Sequence, residues 1–109
     1  MDTTLDQTFG ALADPTRRAI IAKLKEGAAP VGDLVALFKL SWPAITKHLK
    51  VLENAKLISR RKEGRQAWIS LQAGPLGSAQ DWIETYRDYW EQQFDALESY
   101  LDQSEEEDL

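Results

Sequence analysis

The stretch Ser41–Glu53 reads SWPAITKHLKVLE, and its pattern predicts an amphipathic helix. The apolar residues that recur at steps of four and three are Ile45, Leu49 and Leu52. Such steps place side chains on one face of an α-helix. Ser41 is a good N-cap, and Pro43 is tolerated in the first turn, where its missing N–H is no loss. The opposite face is polar and basic and carries Pro43, Thr46, Lys47, Lys50 and Asn54.

Shorter predicted elements flank this helix on both sides. The apolar stretch Val31–Phe38 predicts a short helix before it, with a tight turn between the two. Strands are predicted after it at Leu57–Lys62 and Gln66–Leu71, joined by a turn that contains Gly64. Two short helices of which the second has a basic outer face are typical of a helix-turn-helix, and a basic hairpin directly after them is typical of a wing.

Two more helices are predicted nearer the N-terminus. The residues at helical spacing in the first are Leu5, Phe9 and Leu12. Asp14 and Pro15 are typical of the start of the second, as N-cap and first helical residue. Arg17 and Arg18 then lie in its first turn, where the helix dipole disfavours cations. We therefore expect a phosphate, a carboxylate or solvent to compensate their charge.

The C-terminal third predicts a long helix from about Ser78 to Gln103. Its apolar stripe follows steps of three and four, close to the heptad pattern of helices that pack in pairs. The stripe consists of Ile83, Tyr86, Trp90, Phe94, Leu97 and Leu101, widened by Trp82, Tyr89 and Tyr100. In a monomer of 109 residues much of it would be exposed. We expect dimerisation through the first and last helices, with packing inside one chain as the alternative.

Together these patterns predict a mainly α-helical fold with a small β-hairpin wing, the winged helix-turn-helix: four helices, two strands and a last helix. Residues 1–103 are expected to form one domain, and the acidic residues 104–109 a disordered tail. There is no apolar run long enough to span a membrane and no secretory signal at the N-terminus. The absence of cysteine fits a reducing compartment, so we expect a cytoplasmic protein.

The charge of the chain is unevenly distributed. The net charge of −5 argues against a nucleic-acid partner at first sight. However, residues 37–73 carry eight basic and two acidic side chains, whereas residues 74–109 carry one basic and eleven acidic ones. The local field, rather than the total charge, guides a polyanion to a site. The middle third can therefore bind DNA, although a charge run can also be merely a solvated face.

The candidate DNA contacts lie on the predicted recognition helix, Ser41–Glu53, and on the wing. Lys47 and Lys50 are expected to meet phosphates or base edges, and Thr46 a thymine methyl group or a phosphate. Ser41 and the helix N-terminus can hold a phosphate. The wing cations expected to touch the sugar-phosphate backbone are Arg60, Arg61, Lys62 and Arg65, of which Arg65 can enter a minor groove. Simple solvation is the alternative for each of them.

Two residues of the recognition helix have two interpretations each. Trp42 can stack on a thymine methyl group or pack on the preceding helix near Phe38. His48 borders the apolar face, and we expect it to be half-buried and bonded to backbone or phosphate rather than to a metal ion. The chain has no cysteine and one histidine, so we predict no metal site, no cofactor and no catalytic nucleophile or base.

Three segments together resemble the ArsR family of winged-helix repressors. They are FGALADPTRRAIIAKL (Phe9–Leu24), LSWPAITKHLKVLENAKLI (Leu40–Ile58) and RRKEGRQAWISL (Arg60–Leu71). The ending, DWIETYRDYWEQQFDALESYL, is similar to a branch whose genes often neighbour those of START-like domains related to the activator of Hsp90. The resemblance implies a cytoplasmic homodimer that binds a palindromic operator and represses the neighbouring operon, its own included.

The chain departs from the family pattern at two positions. Trp42 stands where Gln, Leu or Met is common, which bears on base specificity. Lys56 stands where glycine usually precedes the first wing strand, so it needs a left-handed backbone or a different exit from the helix. The family's thiolate metal sites would begin at Pro30–Leu34, which lacks cysteine, and the last helix lacks histidine. We therefore predict a regulator that does not respond to metal.

Two other classes of function compete with a DNA-binding repressor. A winged-helix module that binds a partner protein through its aromatic last helix, with weak or lost DNA binding, would explain the acidic C-terminal third and Trp42 on the recognition helix, whereas the basic middle third argues against it. An enzyme is the weakest alternative, because no group of residues suggests a reaction. The sequence leaves open whether a small molecule acts as an effector at Trp82, Tyr86, Tyr89 and Trp90.

Overall fold

The structure is a computed structural model that describes residues 3–107 and the side chains of residues 3–104. It contains six helices and a three-stranded sheet. In chain order they are α1 (Thr3–Leu12), α2 (Pro15–Leu24), β1 (Ala29–Pro30), α3 (Val31–Phe38), α4 (Trp42–Asn54), β2 (Ile58–Glu63), β3 (Gln66–Leu71), α5 (Gly74–Glu84) and α6 (Arg87–Glu107). The predicted fold class is confirmed. Within residues 3–107, no helix has both the length and the apolar character needed to cross a membrane.

The predicted helix starts are confirmed by their caps. The side chain of Asp14 accepts a hydrogen bond from the backbone N–H of Arg17 at 3.0 Å, at the start of α2. Ser41 accepts one from the backbone N–H of Ala44 at 3.2 Å, at the start of α4. Each bond satisfies a backbone donor that has no partner inside its helix. These caps fix where α2 and α4 begin.

The wing belongs to a sheet with the strand order β1-β3-β2. Strands β2 and β3 are antiparallel and pair from Ile58 and Leu71 to Glu63 and Gln66, with Gly64 at φ 62° in the turn. Strand β1 was not predicted, because two residues are too short to show an alternating pattern. This short strand pairs with β3 and attaches the wing to the beginning of α3.

The core confirms the predicted inward face of α4. Ile45, Leu49 and Leu52 are fully buried. They belong to one cluster of buried residues to which α2, α3 and both wing strands contribute Ile20, Leu34, Ile58 and Ile69. Leu57, between α4 and β2, is fully buried as well. The burial of one face of α4 leaves its opposite face for solvent or a partner.

Two lysines adopt the left-handed backbone conformation that favours glycine. Lys39 ends α3 with φ 55°, and Lys56 follows α4 with φ 61°. At Lys56 the left-handed alternative from the sequence analysis is therefore correct. A side chain with a Cβ costs about 1–2 kcal/mol in this conformation. The tight turns on both sides of α4 thus contain local strain.

Residues 80–109 form a unit separate from residues 1–79. The prediction of one unbroken last helix from Ser78 to Gln103 is wrong. The helix begins at Gly74 and breaks at Thr85 and Tyr86, where the Thr85 side chain and backbone N–H both donate to the carbonyl oxygen of Trp82. A threonine hydroxyl that bonds to a nearby carbonyl competes with the regular helical bonds.

Helix α6 continues to Glu107 and so includes the first residues of the predicted tail, 104–109. Residues 108 and 109 lie outside the described residues. That residues 1–103 form one domain stays a prediction.

Lys56→Gly is expected to raise the free energy of unfolding by about 0.5–1 kcal/mol. Glycine relieves the strain at this positive φ, and part of the gain is lost because glycine gives up more backbone entropy on folding. Denaturant unfolding followed by circular dichroism measures the change.

Lys50→Gly is the matched control, because Lys50 is also an exposed lysine but lies inside α4. There glycine should lower the free energy of unfolding by about 1 kcal/mol. If both variants lose stability, the strain assigned to Lys56 is contradicted.

Candidate nucleic-acid interface

The outer face of α4 carries the polar residues that the sequence analysis selected. Thr46, Lys47 and Lys50 are exposed, as are Ser41 and Pro43 at the start of the helix. Because Ile45 and Leu49 anchor the inner face, the three central side chains must point away from the core. The structure therefore brings two lysines and a threonine onto one exposed helical face.

The four wing cations divide into two pairs. Arg60 forms an ion pair with Glu53 near the end of α4 at 3.3 Å, and Arg61 one with Glu63 on its own strand at 2.9 Å. Within residues 3–104, Lys62 and Arg65 form no ion pair. Exposed ion pairs contribute little to stability, and they also reduce the positive field of the cations involved. The uncompensated positive charge of the wing is therefore concentrated at its tip.

Trp42 lies against the beginning of α3, beside Gly32. Its indole ring would stand 3.7 Å from a Cβ on Gly32, which is an ordinary van der Waals distance. Trp42, Arg65 and Ala67 help to line a cavity of about 110 Å³ between α3, α4 and the wing. The Trp42 side chain remains 56% exposed. Internal packing thus covers only part of the indole.

His48 contacts an arginine that the sequence analysis did not connect with it. The Nδ1 atom of His48 lies 3.4 Å from Nη1 of Arg17 and 3.9 Å from Oδ2 of Asp14. The His48 side chain is half-buried, as expected, with 22% of its surface exposed. Its described partner is a side chain of α2, and the spacing along the sequence carried no signal for this contact.

Arg17 and Arg18 donate hydrogen bonds to the carbonyl oxygens at the C-terminus of α1. Arg17 donates from Nε to the carbonyl oxygen of Ala11 at 2.6 Å and from Nη2 to that of Gly10 at 3.2 Å. Arg18 donates to the carbonyl oxygen of Leu12 at 2.7 Å. The last carbonyls of a helix lack helical partners and carry partial negative charge. The carbonyl oxygens at the negative end of α1, which the sequence did not indicate, therefore bind both arginines.

The carboxylate of Asp14 is stabilised in its charged form. The backbone N–H of Arg17 donates to it, and this bond is the main reason that the pKa of Asp14 is lowered from its usual value of 3.8. Partial burial opposes the shift, and the positive charge of Arg17 adds to it. Asp14 therefore caps α2 as a carboxylate at neutral pH.

The predicted dimer residues of the C-terminal helices are exposed in the single chain. Phe94 is the most exposed, at 70%, and the other exposed ones are Trp82, Ile83, Tyr86, Tyr89, Trp90, Leu97 and Leu101. In α1, Phe9 is exposed and Leu5 is half-buried, whereas Leu12 packs against the core of its own chain. Among the described residues, no group of three His, Cys, Asp or Glu side chains could hold a metal ion.

The chain is similar to proteins of known class over most of its length. The family model described as "Bacterial regulatory protein, arsR family" matches residues 14–60, from the cap of α2 into β2. The transcriptional repressor SdpR of Bacillus subtilis is 35% identical over 79 residues, which are 72% of this chain and 88% of SdpR. The HTH-type transcriptional regulator Rv2034 of Mycobacterium tuberculosis is 42% identical over 74 residues, 68% of this chain and 67% of the relative.

Solved structures show the same architecture. The ArsR family transcriptional regulator RHA00566 has a TM-score of 0.77 at 33% identity and covers 84% of this chain and 94% of its own. The ArsR-like transcriptional regulator from Rhodococcus sp. RHA1 has a TM-score of 0.71 at 26% identity, with 87% and 90% covered.

Asp14→Asn is expected to remove a pH-dependent part of the stability, since an amide oxygen can still cap α2 but carries no charge. Because folding lowers the pKa of Asp14, the carboxylate stabilises the fold above about pH 4, and this contribution is lost as the pH falls through the lowered pKa. The difference in melting temperature between the wild type and the variant should shrink from about pH 6 to about pH 3.

Asp33→Asn is the control for the loss of one negative charge, because Asp33 is an exposed aspartate in the first turn of α3. A pH-dependent difference of equal size in this control would argue against the assignment to Asp14.

Proposed function

The chain belongs to the ArsR family of bacterial transcriptional regulators, and on this premise we propose that it is a metal-independent repressor that binds a palindromic DNA operator as a homodimer. Members of this family are DNA-binding regulators and not enzymes. The observation that supports the proposal most directly is the exposed basic face of α4 beside the basic tip of the wing.

The proposed contacts with DNA follow from the fit of an α-helix in the major groove and from the cations of the wing. The major groove admits one α-helix, and lysine can donate to guanine O6 and N7 or to phosphates. We assign this role to Lys47 and Lys50, with Thr46 between them in sequence. Lys62 and Arg65 at the wing tip contact the neighbouring backbone. Arg60 and Arg61 contribute less, because each already has a carboxylate partner.

Exposed aromatic residues support the homodimer. The stripe from Trp82 to Leu101 contains nine large apolar side chains that are at least 41% exposed. Soluble monomers rarely expose apolar patches of this extent. A two-fold dimer would place two copies of α4 in successive major grooves, about 34–36 Å apart. Such a dimer explains why the operator of this proposal is palindromic.

Metal independence is proposed from the ligands that the chain offers. It has no cysteine, and His48 is its one histidine. Arg17 already contacts Nδ1 of that histidine. The carboxylates of α6 are typical of a solvated face, and carboxylates alone bind hard ions weakly.

We infer repression from the relative that is named a transcriptional repressor, SdpR. The first DNA to test is therefore the region upstream of the chain's own gene, and the site of action is the cytoplasm. The acidic, aromatic C-terminal helices favour a second candidate, a protein-interaction module that does not bind DNA. Intact dimers that bind neither this DNA nor its flanking regions would support the second candidate.

Lys47→Glu is expected to weaken binding to a fluorescently labelled duplex of this upstream DNA by about 100-fold or more, because it places a negative charge in the groove. Fluorescence anisotropy at several salt concentrations measures the dissociation constant. The affinity of the wild type should fall steeply as salt rises.

Lys25→Glu has the same charge change at an exposed lysine at the end of α2 and should alter the affinity by less than about threefold. Normal binding by Lys47→Glu, or wild-type affinity that does not depend on salt, would contradict the assignment of α4.

Phe94→Glu is expected to convert the dimer into a monomer, because a buried, unpaired carboxylate costs several kcal/mol at an apolar interface. Light scattering coupled to size-exclusion chromatography measures the mass. Gln92→Glu adds the same charge on the opposite face of α6 and should remain dimeric. A dimeric Phe94→Glu variant would exclude this stripe as the interface.

A further inference from the structure

The guanidinium group of Arg17 connects the end of α1 with α4. Two of its nitrogens donate to the carbonyl oxygens of Gly10 and Ala11, and the third lies 3.4 Å from Nδ1 of His48. Arg17 and His48 are 31 residues apart in the sequence. A planar guanidinium holds its donors in a fixed arrangement, which lysine does not. One side chain therefore fixes a histidine of α4 relative to the last turn of α1.

The contact also favours one neutral form of His48 over the other. A guanidinium has N–H donors and no acceptor, so Nδ1 of His48 must accept the bond. A neutral imidazole that accepts at Nδ1 carries its proton on Nε2. The remaining donor of the ring is thus Nε2–H, on a helix whose exposed face carries Lys47 and Lys50.

Asp14 is the competing partner of His48. Its Oδ2 atom lies 3.9 Å from Nδ1, beyond hydrogen-bond distance, and already accepts the backbone N–H of Arg17 at 3.0 Å. A proton on Nδ1 would exclude the bond from Arg17, and Asp14 lies too far away to accept it in this arrangement. The shorter distance to Arg17 favours the proton on Nε2.

We propose that Arg17 is a positioning residue of the DNA interface, which holds His48 through Nδ1 so that Nε2–H donates to a phosphate of the DNA backbone. The proposal rests on the proposed function and adds a contact that depends on α2 as well as on α4. We assign Arg17 to the positioning of His48 rather than to DNA contact, because each of its three nitrogens already has a partner inside the protein.

Arg18 offers a matched control. It lies in the same turn, carries the same charge and donates to the carbonyl oxygen of the next residue of α1, Leu12. None of its described contacts involves His48. Arg17→Gln and Arg18→Gln therefore remove the same charge and the same kind of helix cap, and only the first removes the partner of His48.

The first measurement is nitrogen NMR of the imidazole ring in the free protein. His48 is the one histidine of the chain, so its signals need no assignment. Near pH 8 the wild type should show the neutral ring with its proton on Nε2, and so should the control variant Arg18→Gln. The Arg17→Gln variant should instead show a mixture of the two neutral forms. A wild-type ring with its proton on Nδ1 would overturn the proposal.

The second measurement is affinity for the upstream duplex. Arg17→Gln should raise the dissociation constant about tenfold, as for one lost hydrogen bond to a phosphate, with an unchanged slope against salt concentration. Arg18→Gln should stay within about twofold. His48→Phe should raise the dissociation constant about tenfold. The double variant with Arg17→Gln should bind with the same dissociation constant as His48→Phe alone.

Each remaining outcome decides the proposal. Equal losses of affinity in Arg17→Gln and Arg18→Gln would mean that charge or helix capping causes the effect, and this would overturn the proposal. Additive losses of affinity in the double variant of Arg17→Gln and His48→Phe would mean that the two residues act independently, and this would overturn it as well. If Arg17→Gln does not fold, Arg17→Lys, which keeps the charge, replaces it with the same expectations. If the wild type binds no DNA, the proposed function fails, and the NMR result alone decides whether Arg17 holds His48.

Discussion

The burial of one face of α4 is the constraint on which the rest of the first unit depends. Ile45, Leu49 and Leu52 are fully buried in the core, and the helical period then fixes which side chains face outward. Local features set the ends of this helix, where Ser41 caps the start and Lys56 turns the chain into the wing. A single packing interaction therefore orients both the basic face and the hairpin beside it.

The sequence predicted those elements whose signals are local. Caps at Asp14 and Ser41 located the helix starts, and the glycine in the wing turn located the hairpin. Strand β1 could not be predicted, because a strand of two residues is defined by its partner and not by its own pattern. The break at Thr85 depends on a hydroxyl that can bond either to a nearby carbonyl or to solvent, and the sequence does not distinguish these.

The sequence predicted the positive charge of the candidate site, but it predicted few of the contacts between the side chains of the site. The lysines of α4 were selected correctly as exposed, because their position follows from the helical period. The partners of Arg17 and His48 were not, since they are 31 residues apart and meet only after α1, α2 and α4 have packed. Ion pairs such as Arg60 with Glu53 likewise require the register of the wing. The proposed dimer interface and operator also involve a second molecule, so one chain alone does not define their contacts.

The edges of the sheet suggest a second role for the wing cations. Strand β1 forms one edge with only two residues, and Pro30 offers no N–H to another strand. The other edge, β2, carries Arg60, Arg61 and Lys62 in sequence. Charged or very short edge strands discourage pairing with a further chain, so these side chains also protect the protein from aggregation through its sheet. The charge of β2 therefore has a consequence for association between chains that does not depend on DNA.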